Sequence, residues 1–245
     1  MIVYPFNFKI NDVKTLINEN QIDLSPYRIT GLCGPIGSGK STFIRLLVDY
    51  TYRDLKIFSS YGFSAYLSQD LTRLFTGNTV NSLIALYQDD RFEVGRYFQI
   101  DNFERYMQLL DFPGKDRYNE YLTDFSEGER QRLAIALTAA SSAGTVVFDE
   151  PTTALNNKYR QRFYTIVKEI SHNSRIFIIS HRINDILALC DSIIWFKGLH
   201  IVKAGPIESM IKFPELVNHY FNVKRMKKRA ELELAALAVQ EFKGS

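Results

Sequence analysis

A glycine-rich segment that ends in Lys-Ser-Thr has the residue types and spacing of a phosphate-binding loop. It follows the pattern G-x-x-x-x-G-K-[ST] between a predicted strand and an apolar helix, which is the context that this pattern requires. Its glycines let backbone N–H groups turn towards an anion, and the next helix adds its positive N-terminal end. The segment consists of Gly34, Pro35, Ile36, Gly37, Ser38, Gly39, Lys40, Ser41 and Thr42. We therefore expect Lys40 to reach the β- and γ-phosphates of ATP and the Ser41 hydroxyl to ligate Mg²⁺.

Two adjacent carboxylates, Asp149 and Glu150, end an apolar run that predicts a buried strand. The end of a buried strand is an unfavourable place for two negative charges unless a cation or a substrate compensates them. Taken alone, the pattern also fits a solvated strand end. In a chain that carries a phosphate-binding loop, it predicts that Asp149 holds Mg²⁺ through water and that Glu150 polarises an attacking water molecule.

A third segment, Phe125–Arg132, precedes a predicted helix and contains Ser-Glu-Gly-Glu. It resembles the signature of ABC ATPases, whose usual form is Leu-Ser-Gly-Gly-Gln. Other segments match the family's motifs in its order and at its spacings: Gln69 at a strand end, Asp149-Glu150-Pro151-Thr152, Thr153-Ala154-Leu155-Asn156 and Ser180-His181-Arg182. The resemblance covers about residues 1–210, so the chain is identified as similar to the nucleotide-binding subunits of ABC transporters.

The resemblance implies a role for each matched position. Gln69 contacts Mg²⁺ and the attacking water, Glu150 is the catalytic base, and His181 is the switch residue that touches the γ-phosphate. The implied magnesium ligands are Ser41, Gln69 and Asp149. The implied signature residues, which close over ATP held by the opposite subunit, are Ser126, Glu127, Gly128 and Glu129. The family thus implies an ATP-hydrolysing subunit that works as a head-to-tail dimer around Mg·ATP.

Three positions depart from the family pattern. Glu127 occupies the first glycine of the signature, Glu129 replaces its glutamine, and Asn156 replaces an aspartate that helps to align the two subunits. The two carboxylates would repel a triphosphate unless they point away from it or pair with Arg130 or Arg132. ATP binding is still expected, whereas the rate of hydrolysis is left open. Three aromatic residues near the right strand are candidates for stacking on adenine or for the core: Tyr4, Phe6 and Phe8.

Composition sets the broad class and the compartment. The chain has 245 residues, 46% of them hydrophobic, and a formal net charge of +3 that is too small to indicate a nucleic-acid partner. Cys33 and Cys190 fit neither a disulfide framework nor a metal site, which favours a reducing cytosol. We see no secretory signal and no apolar run of about 20 residues. We therefore expect a cytoplasmic protein that reaches the membrane through partners, namely integral-membrane permease subunits and a second ABC ATPase subunit.

Strands and helices that position these residues are predicted from the sequence pattern. Runs rich in β-forming residues alternate with helical patterns, and this alternation favours a mostly parallel sheet covered by helices. Strands are predicted at Ile2–Ile10, Arg28–Cys33, Gly62–Leu67, Gly144–Asp149 and Arg175–Ser180, with a hairpin at Ile193–Val202 that turns at Lys197-Gly198. The expected fold class is therefore α/β: a P-loop NTPase core with a mostly parallel sheet, N-terminal antiparallel strands and an inserted helical signature subdomain.

We expect one ABC ATPase domain over residues 1–222, with the helical subdomain at about 70–140, and a basic, helical tail over 223–245. The basic run Lys224–Arg229 and the segment after it fit a solvated helix, a partner contact or an anionic membrane surface.

The kind of ABC machine is indicated by two further observations. The segment Gln69–Val80 looks like the glutamine segment of energy-coupling-factor ATPases, although other importer subfamilies share part of it. Chromosome-structure and DNA-repair relatives insert a long coiled coil before the signature, and the separation of 86 residues between Lys40 and Ser126 leaves no room for one. We expect a subunit that powers a membrane transport complex. Two alternatives stay open: a soluble ABC module that acts on a nucleic-acid or protein partner, and a catalytically weak half of a heterodimer.

Overall fold

The computed structural model describes residues 1–60, 62–75 and 77–221, so the predicted tail over 223–245 lies outside the described residues. Strands and helices alternate along the described chain, which confirms the predicted α/β class. The strands are β1 (Ile2–Val3), β2 (Phe6–Lys9), β3 (Thr15–Asn18), β4 (Ile22–Asp23), β5 (Ile29–Cys33), β6 (Ser64–Leu67), β7 (Thr145–Asp149), β8 (Arg175–Ile179), β9 (Ser192–Lys197) and β10 (His200–Pro206). The helices are α1 (Lys40–Val48), α2 (Thr72–Phe75), α3 (Val80–Gln88), α4 (Glu93–Tyr97), α5 (Ile100–Leu109), α6 (Glu127–Ala139), α7 (Asn157–Ile170), α8 (Ile183–Leu189), α9 (Ile207–Met210) and α10 (Pro214–Phe221). Short 3₁₀ helices cover Tyr50–Leu55, Lys115–Arg117 and Leu122–Asp124.

The described chain divides into two compact units, and the first comprises residues 1–60 and 177–221. In this unit β3 pairs antiparallel with β2 and parallel with β10. Strand β9 pairs antiparallel with β10 and parallel with β5, and β1 and β4 form a separate antiparallel pair. The phosphate loop therefore begins at the end of a fully buried strand, β5, that runs parallel to β9.

Helix α1 is held in the first unit by one apolar face. Its buried side chains are Phe43, Ile44, Leu46 and Leu47, a spacing that places them on one side of a helix. The ring of Phe43 meets those of Phe58 and Phe196 edge-on, with centroids 5.4 and 5.5 Å apart. Aromatic pairs prefer this geometry, so the contact anchors the start of α1, where the phosphate loop ends.

The second compact unit, residues 62–176, contains the helical segment and the acidic strand. Strands β6 and β7 run parallel, with Leu67 opposite Phe148. Parallel strands end at the same edge of a sheet, so the residues that follow β6 and β7 lie at one edge. Helix α6 packs against α5 and is buried throughout Gln131–Ala139, which makes it the central helix of this unit.

Two details of the predicted strands were wrong. The single strand predicted at Ile2–Ile10 is two strands in different sheets, because Pro5 lies between them and has no N–H to donate to a ladder. The hairpin turn lies one residue later than predicted and β10 continues to Pro206. Gly198 and Leu199 occupy the turn with φ of 55° and 66°, as a type I′ turn requires.

Candidate nucleotide-binding site

The predicted phosphate-binding loop connects the end of β5 to the start of α1. A Cβ atom on Gly34 would lie 2.3 Å from the carbonyl oxygen of Phe196, so only glycine fits there. Gly39, the N-cap of α1, has a φ of 106°, and a Cβ atom on it would lie 2.5 Å from a methyl carbon of Leu16. Both glycines are thus needed to bring the loop close to β9 and β3.

The side chain of Lys40, the first residue of α1, folds back into the loop. Its Nζ donates hydrogen bonds to the carbonyl oxygens of Gly34 at 2.7 Å and of Pro35 at 2.9 Å, and the residue is only 8% exposed. The hydroxyl of Ser38 is also buried and has no hydrogen-bond partner among the described residues. An ammonium group and an unsatisfied hydroxyl at a helix N-terminus equip this loop to bind an anion. Among the other loop residues, Ile36, Gly37 and Ser41 are exposed, and Thr42 is half-buried.

The predicted switch residue, His181, follows β8 and lies in the same unit as the phosphate loop. It is exposed, and α8 begins two residues later. Burial, and then the charges of Lys40 and His181, lower the pKa of His219 on α10 below its ordinary value. Lys40 and His181 therefore both lie within electrostatic reach of the same side chain, in the same region of this unit.

The acidic pair lies in the second unit, at the end of β7. Asp149 and Glu150 are only 5% and 7% exposed. The hydroxyl of Tyr66, on β6, donates to Oδ2 of Asp149 at 3.1 Å. Burial, and then the negative charge of Asp149, raise the pKa of Tyr66 to about 12, so its hydroxyl keeps its proton at neutral pH. The sequence prediction did not include Tyr66, although strand β6 and the later Gln69 place it at the same edge.

The backbone of Glu150 is in the left-handed region, with a φ of 52°. This conformation is unfavourable for any residue other than glycine. It turns the chain sharply away from β7. The hydroxyl of Thr153 donates to the carbonyl oxygen of Glu150 at 3.2 Å and helps to hold this turn. Strain of this kind is common at functional sites, where a side chain must be aimed in one direction.

Gln69 is exposed and comes two residues after the end of β6. It lines a cleft of about 400 Å³ together with residues of the predicted signature, including Glu127 and Arg130. Gln131 also lines this cleft; it is buried, and its Nε2 has no hydrogen-bond partner in the described part of the chain. Within the second unit, the structure thus brings the predicted glutamine and the signature segment to one cleft.

The signature segment begins α6 with a capping box. Ser126 is the N-cap, and its N–H and its hydroxyl donate to Oε2 of Glu129 at 2.8 and 2.7 Å. The N–H of Glu129 donates in return to the Ser126 hydroxyl at 3.3 Å, and Nη1 of Arg117 lies 3.2 Å from Oε1 of Glu129. Burial raises the pKa of Glu129, but the hydrogen bonds from Ser126 and the charge of Arg117 outweigh it and hold the pKa below its usual value. Glu129 is therefore a structural cap.

Pairing of Glu129 with Arg130 or Arg132, one of the two predicted possibilities, is not found, because both arginines donate to backbone carbonyls. Nη1 of Arg130 donates to the carbonyl oxygen of Phe125 at 2.8 Å. Nη1 of Arg132 donates to that of Leu110 at 3.1 Å, at the end of α5. The other changed carboxylate, Glu127, lies exposed in the first turn of α6, where the helix dipole favours a negative charge.

Two further positions have local structural roles. A Cβ atom on Gly128 would lie 3.1 Å from the carbonyl oxygen of Ala154, so a larger residue would press on the loop after the acidic pair. The side chain of Asn156 accepts a hydrogen bond from the N–H of Tyr159 at 3.1 Å and caps α7. Asparagine and aspartate are equally good N-caps, so this departure from the family pattern leaves the helix start intact.

The donor types fit a nucleotide-bound magnesium ion. The hydroxyl of Ser41, the amide oxygen of Gln69 and the carboxylate of Asp149 are oxygen ligands, which Mg²⁺ prefers. No group of three or more His, Cys, Asp or Glu side chains in the described residues could hold a metal ion. This agrees with Mg²⁺, which commonly uses one or two protein ligands together with phosphate and water.

None of the candidate adenine-stacking residues is singled out by its packing. Phe8 packs edge-on against Tyr52 with centroids 5.2 Å apart, and Phe6 is half-buried on the same strand. Tyr4 is 38% exposed.

The comparison with protein families agrees with this geometry. The family model described as ABC transporter matches residues 17–153, more than half of the chain. The ATP-binding protein NatA of an ABC transporter from Bacillus subtilis (strain 168) is 24% identical over 204 residues, which are 79% of this chain and 83% of that protein. The ATP-binding protein NikD of a nickel import system from Staphylococcus aureus (strain MW2) is 24% identical over 251 residues, covering 94% and 96% of the two chains.

Solved structures share the fold. A bacterial Atm1-family ABC exporter with ATP bound superposes with a TM-score of 0.71 at 17% identity, over 92% of this chain and 42% of that one. A bacterial ABC transporter cassette in dimeric form gives a TM-score of 0.61 at 17% identity, over 84% of this chain and 99% of the cassette. At this identity the likeness establishes the fold alone.

Proposed function

The chain belongs to the ABC transporter family as an ATP-binding, ATP-hydrolysing subunit, and from this we propose that it powers a membrane transport complex through ATP-driven dimerisation. One observation carries the proposal: a single chain contains a lysine folded into a phosphate-binding loop, a buried acidic pair at a strand end and a capped helix with the signature residues. We assign these three features, in turn, to binding the phosphates, to activating water, and to closing over the ATP of a second subunit.

In the first unit, we assign the phosphate groups of ATP to the loop Gly34–Thr42. Lys40 exchanges its bonds with two loop carbonyls for bonds to the β- and γ-phosphates, which are stronger because both partners are charged. The Ser41 hydroxyl is the proposed ligand for Mg²⁺, and His181 is the proposed contact with the γ-phosphate. The ion, when bound, neutralises the charge that develops on the phosphate oxygens.

In the second unit, we assign Asp149 and Gln69 to the magnesium ion and Glu150 to the attacking water. Glu150 is buried directly after Asp149, and its carboxylate is the proposed acceptor of the proton from water. Its backbone lies in the left-handed region, at the turn that follows β7. The hydroxyl of Tyr66 donates to Oδ2 of Asp149 at 3.1 Å and orients the carboxylate that we assign to the hydrated ion.

The signature supports a dimer. Ser126 and Glu127 are exposed, and they begin a helix of 13 residues whose N-terminal end attracts anions. We propose that Ser126–Glu129 close over the ATP of a second ABC ATPase subunit. We further propose that residues 1–222 act as one ABC ATPase domain with its signature in the helical segment at about 70–140.

No helix in the described part of the chain is long and apolar enough to cross a membrane. The relatives are named as ATP-binding proteins of a transporter and of a nickel import system. The cleft between Gln69 and Glu127 offers a permease segment a place where it touches both motifs. We therefore propose that the chain works at the cytoplasmic face of the membrane, bound to permease subunits.

Dimerisation is tested with Glu150→Gln, which keeps the size of the side chain and cannot take a proton. We expect Mg·ATP to convert this variant into a dimer whose mass is read by light scattering after size-exclusion chromatography. The matched control, Glu150→Gln with Lys40→Ala, should stay at the nucleotide-free mass. A mass that Mg·ATP does not change in the first variant would contradict the proposal.

Coupling to a permease is tested with Thr72→Arg, which places a long charged side chain in the cleft. The control is Thr165→Arg, at an exposed position on α7. We expect the tagged parent chain and the control to purify from detergent-solubilised membranes with a polytopic protein identified by mass spectrometry, and the cleft variant to lose it while it keeps its ATPase activity. Recovery of no polytopic protein with the parent chain, together with ATPase stimulation by nucleic acid, would favour the soluble alternative.

A further inference from the structure

The C-terminal helix α10 contacts the loop that carries the switch histidine. The hydroxyl of Tyr220 donates a hydrogen bond to the carbonyl oxygen of Ser180 at 3.0 Å. That carbonyl belongs to the peptide bond that joins Ser180 to His181. A bond to this oxygen restrains the rotation of the peptide plane, and this rotation sets the direction in which the His181 side chain leaves the backbone.

The loop has a second tether on its other side. The Ser180 hydroxyl donates to Oδ2 of Asp185 at 2.8 Å and accepts from the N–H of Arg182 at 3.0 Å. Asp185 is fully buried in α8, so this contact fixes the Ser180 side chain. The orientation of the peptide bond itself is fixed from α10.

Helix α10 is firmly docked, which makes it a suitable support. Leu216 and Val217 are buried, and Nζ of Lys197 lies 3.2 Å from a carboxylate oxygen of Glu215. The ring of His219 meets that of Trp195 edge-on, with centroids 5.3 Å apart. Tyr220 thus extends from a helix that has two buried apolar side chains and is held to β9 through an ion pair and a ring contact.

We propose that Tyr220 is a positioning residue for ATP hydrolysis: its hydroxyl holds the Ser180–His181 peptide so that His181 points at the γ-phosphate. This inference rests on the role proposed above for His181. We expect the loss of this hydroxyl to lower kcat about two- to tenfold, which corresponds to the free energy of a typical hydrogen bond. The reason is that fewer molecules then hold His181 in the productive orientation. The KM for ATP should change little, since the phosphate loop is untouched.

The test uses Tyr220→Phe, which removes the hydroxyl and keeps the ring. Tyr97→Phe is the matched control, because the ring of Tyr97 stacks on Phe63 in the second unit. Trp195 is the only tryptophan in the chain, so its fluorescence reports whether α10 is still docked. We expect the Tyr220 variant to lose kcat with unchanged Trp195 emission, and the control to keep the parent kcat.

The deciding measurement repeats Tyr220→Phe in a His181→Ala background, at high enzyme concentration. If Tyr220 acts through His181, the second substitution lowers kcat no further. An equal fall in both backgrounds, or no fall in the native background, would overturn the inference while the role of His181 stands. A His181→Ala variant with the parent kcat would instead refute the role of His181, and the inference with it.

Discussion

At Glu150 the structure predicts that the conformation needed for activity lowers the stability of the fold. Its backbone has a φ of 52°, and its side chain is only 7% exposed directly after Asp149. Glu150→Ala and Glu150→Gly both remove the carboxylate, and they differ from each other only by one Cβ atom. The difference in stability between these two variants therefore reports the strain of the left-handed backbone, reduced by the additional backbone freedom that glycine loses on folding.

The expected difference follows from two opposing terms. A residue with a Cβ atom in the left-handed region costs about 1–2 kcal/mol. Glycine loses about 0.5–1 kcal/mol more backbone freedom than alanine when the chain folds. We expect the free energy of unfolding of Glu150→Gly to exceed that of Glu150→Ala by about 0.5–1 kcal/mol, which raises Tm by about 1–4 °C in a chain of this size.

The assay is thermal unfolding of the nucleotide-free proteins, with ATP hydrolysis measured on the same samples. Lys56 provides a control pair, because it is exposed and has a φ of 51°. Lys56→Gly should exceed Lys56→Ala in Tm by a similar amount, and both should hydrolyse ATP at the parent rate, whereas both Glu150 variants should be inactive. If Glu150→Ala is as stable as Glu150→Gly while the Lys56 pair differs as expected, Glu150 is not strained.

Three further predictions concern the site. Lys40→Ala should lower ATP affinity about 100-fold or more in equilibrium binding, because hydrogen bonds to a charged group contribute about 1.5–3 kcal/mol each; near-native affinity would refute the phosphate-loop assignment. Tyr66→Phe should raise the Mg²⁺ concentration needed for tight nucleotide binding about tenfold, because Asp149 loses its orienting bond; an unchanged Mg²⁺ titration would show that Tyr66 does not act on the ion. Glu129→Ala should destabilise the fold by about 1–2 kcal/mol in urea titrations, and Glu129→Gln by less than half as much, because its amide oxygen still accepts from the Ser126 N–H; equal losses would mean that the charge, and not the cap, matters.

Strands β5, β7 and β8 were predictable because their sequences are short, largely apolar runs, and β6 because its residues alternate between buried and more exposed positions. The predicted boundaries of β5, β6, β7 and β8 differ from the observed ones by one or two residues at an end. The predicted antiparallel strands at the N-terminus are also present, as the pairs β1–β4 and β2–β3, but the pairing of β3 with β10 joins residues far apart in the chain. Nothing in the four residues of β3 indicates that β10 is its second partner.

The hydrogen bonds that orient the site could be predicted only in part. The Ser-x-x-Glu pattern of Ser126 and Glu129 before an apolar run is a capping box, so the inward direction of Glu129 could have been inferred from the sequence. Its partner Arg117 could not, because Arg117 lies 12 positions before Glu129 and a 3₁₀ helix comes between them. The bond from Tyr220 to Ser180 spans 40 residues and depends on how α10 docks.

The two changed carboxylates of the signature therefore have opposite consequences. Glu129 is bound to Ser126 and Arg117, so its negative charge is already compensated inside the subunit. Glu127 is exposed in the first turn of α6, where it stabilises its own helix through the dipole and, for the same reason, reduces the positive potential that this helix end can offer to a phosphate. If the signature of this chain is weaker than the usual one, the weakness lies at Glu127 alone. On the roles proposed above, it would then affect the ATP held by the partner subunit: both ATP sites in a homodimer, and only the partner's site in a heterodimer.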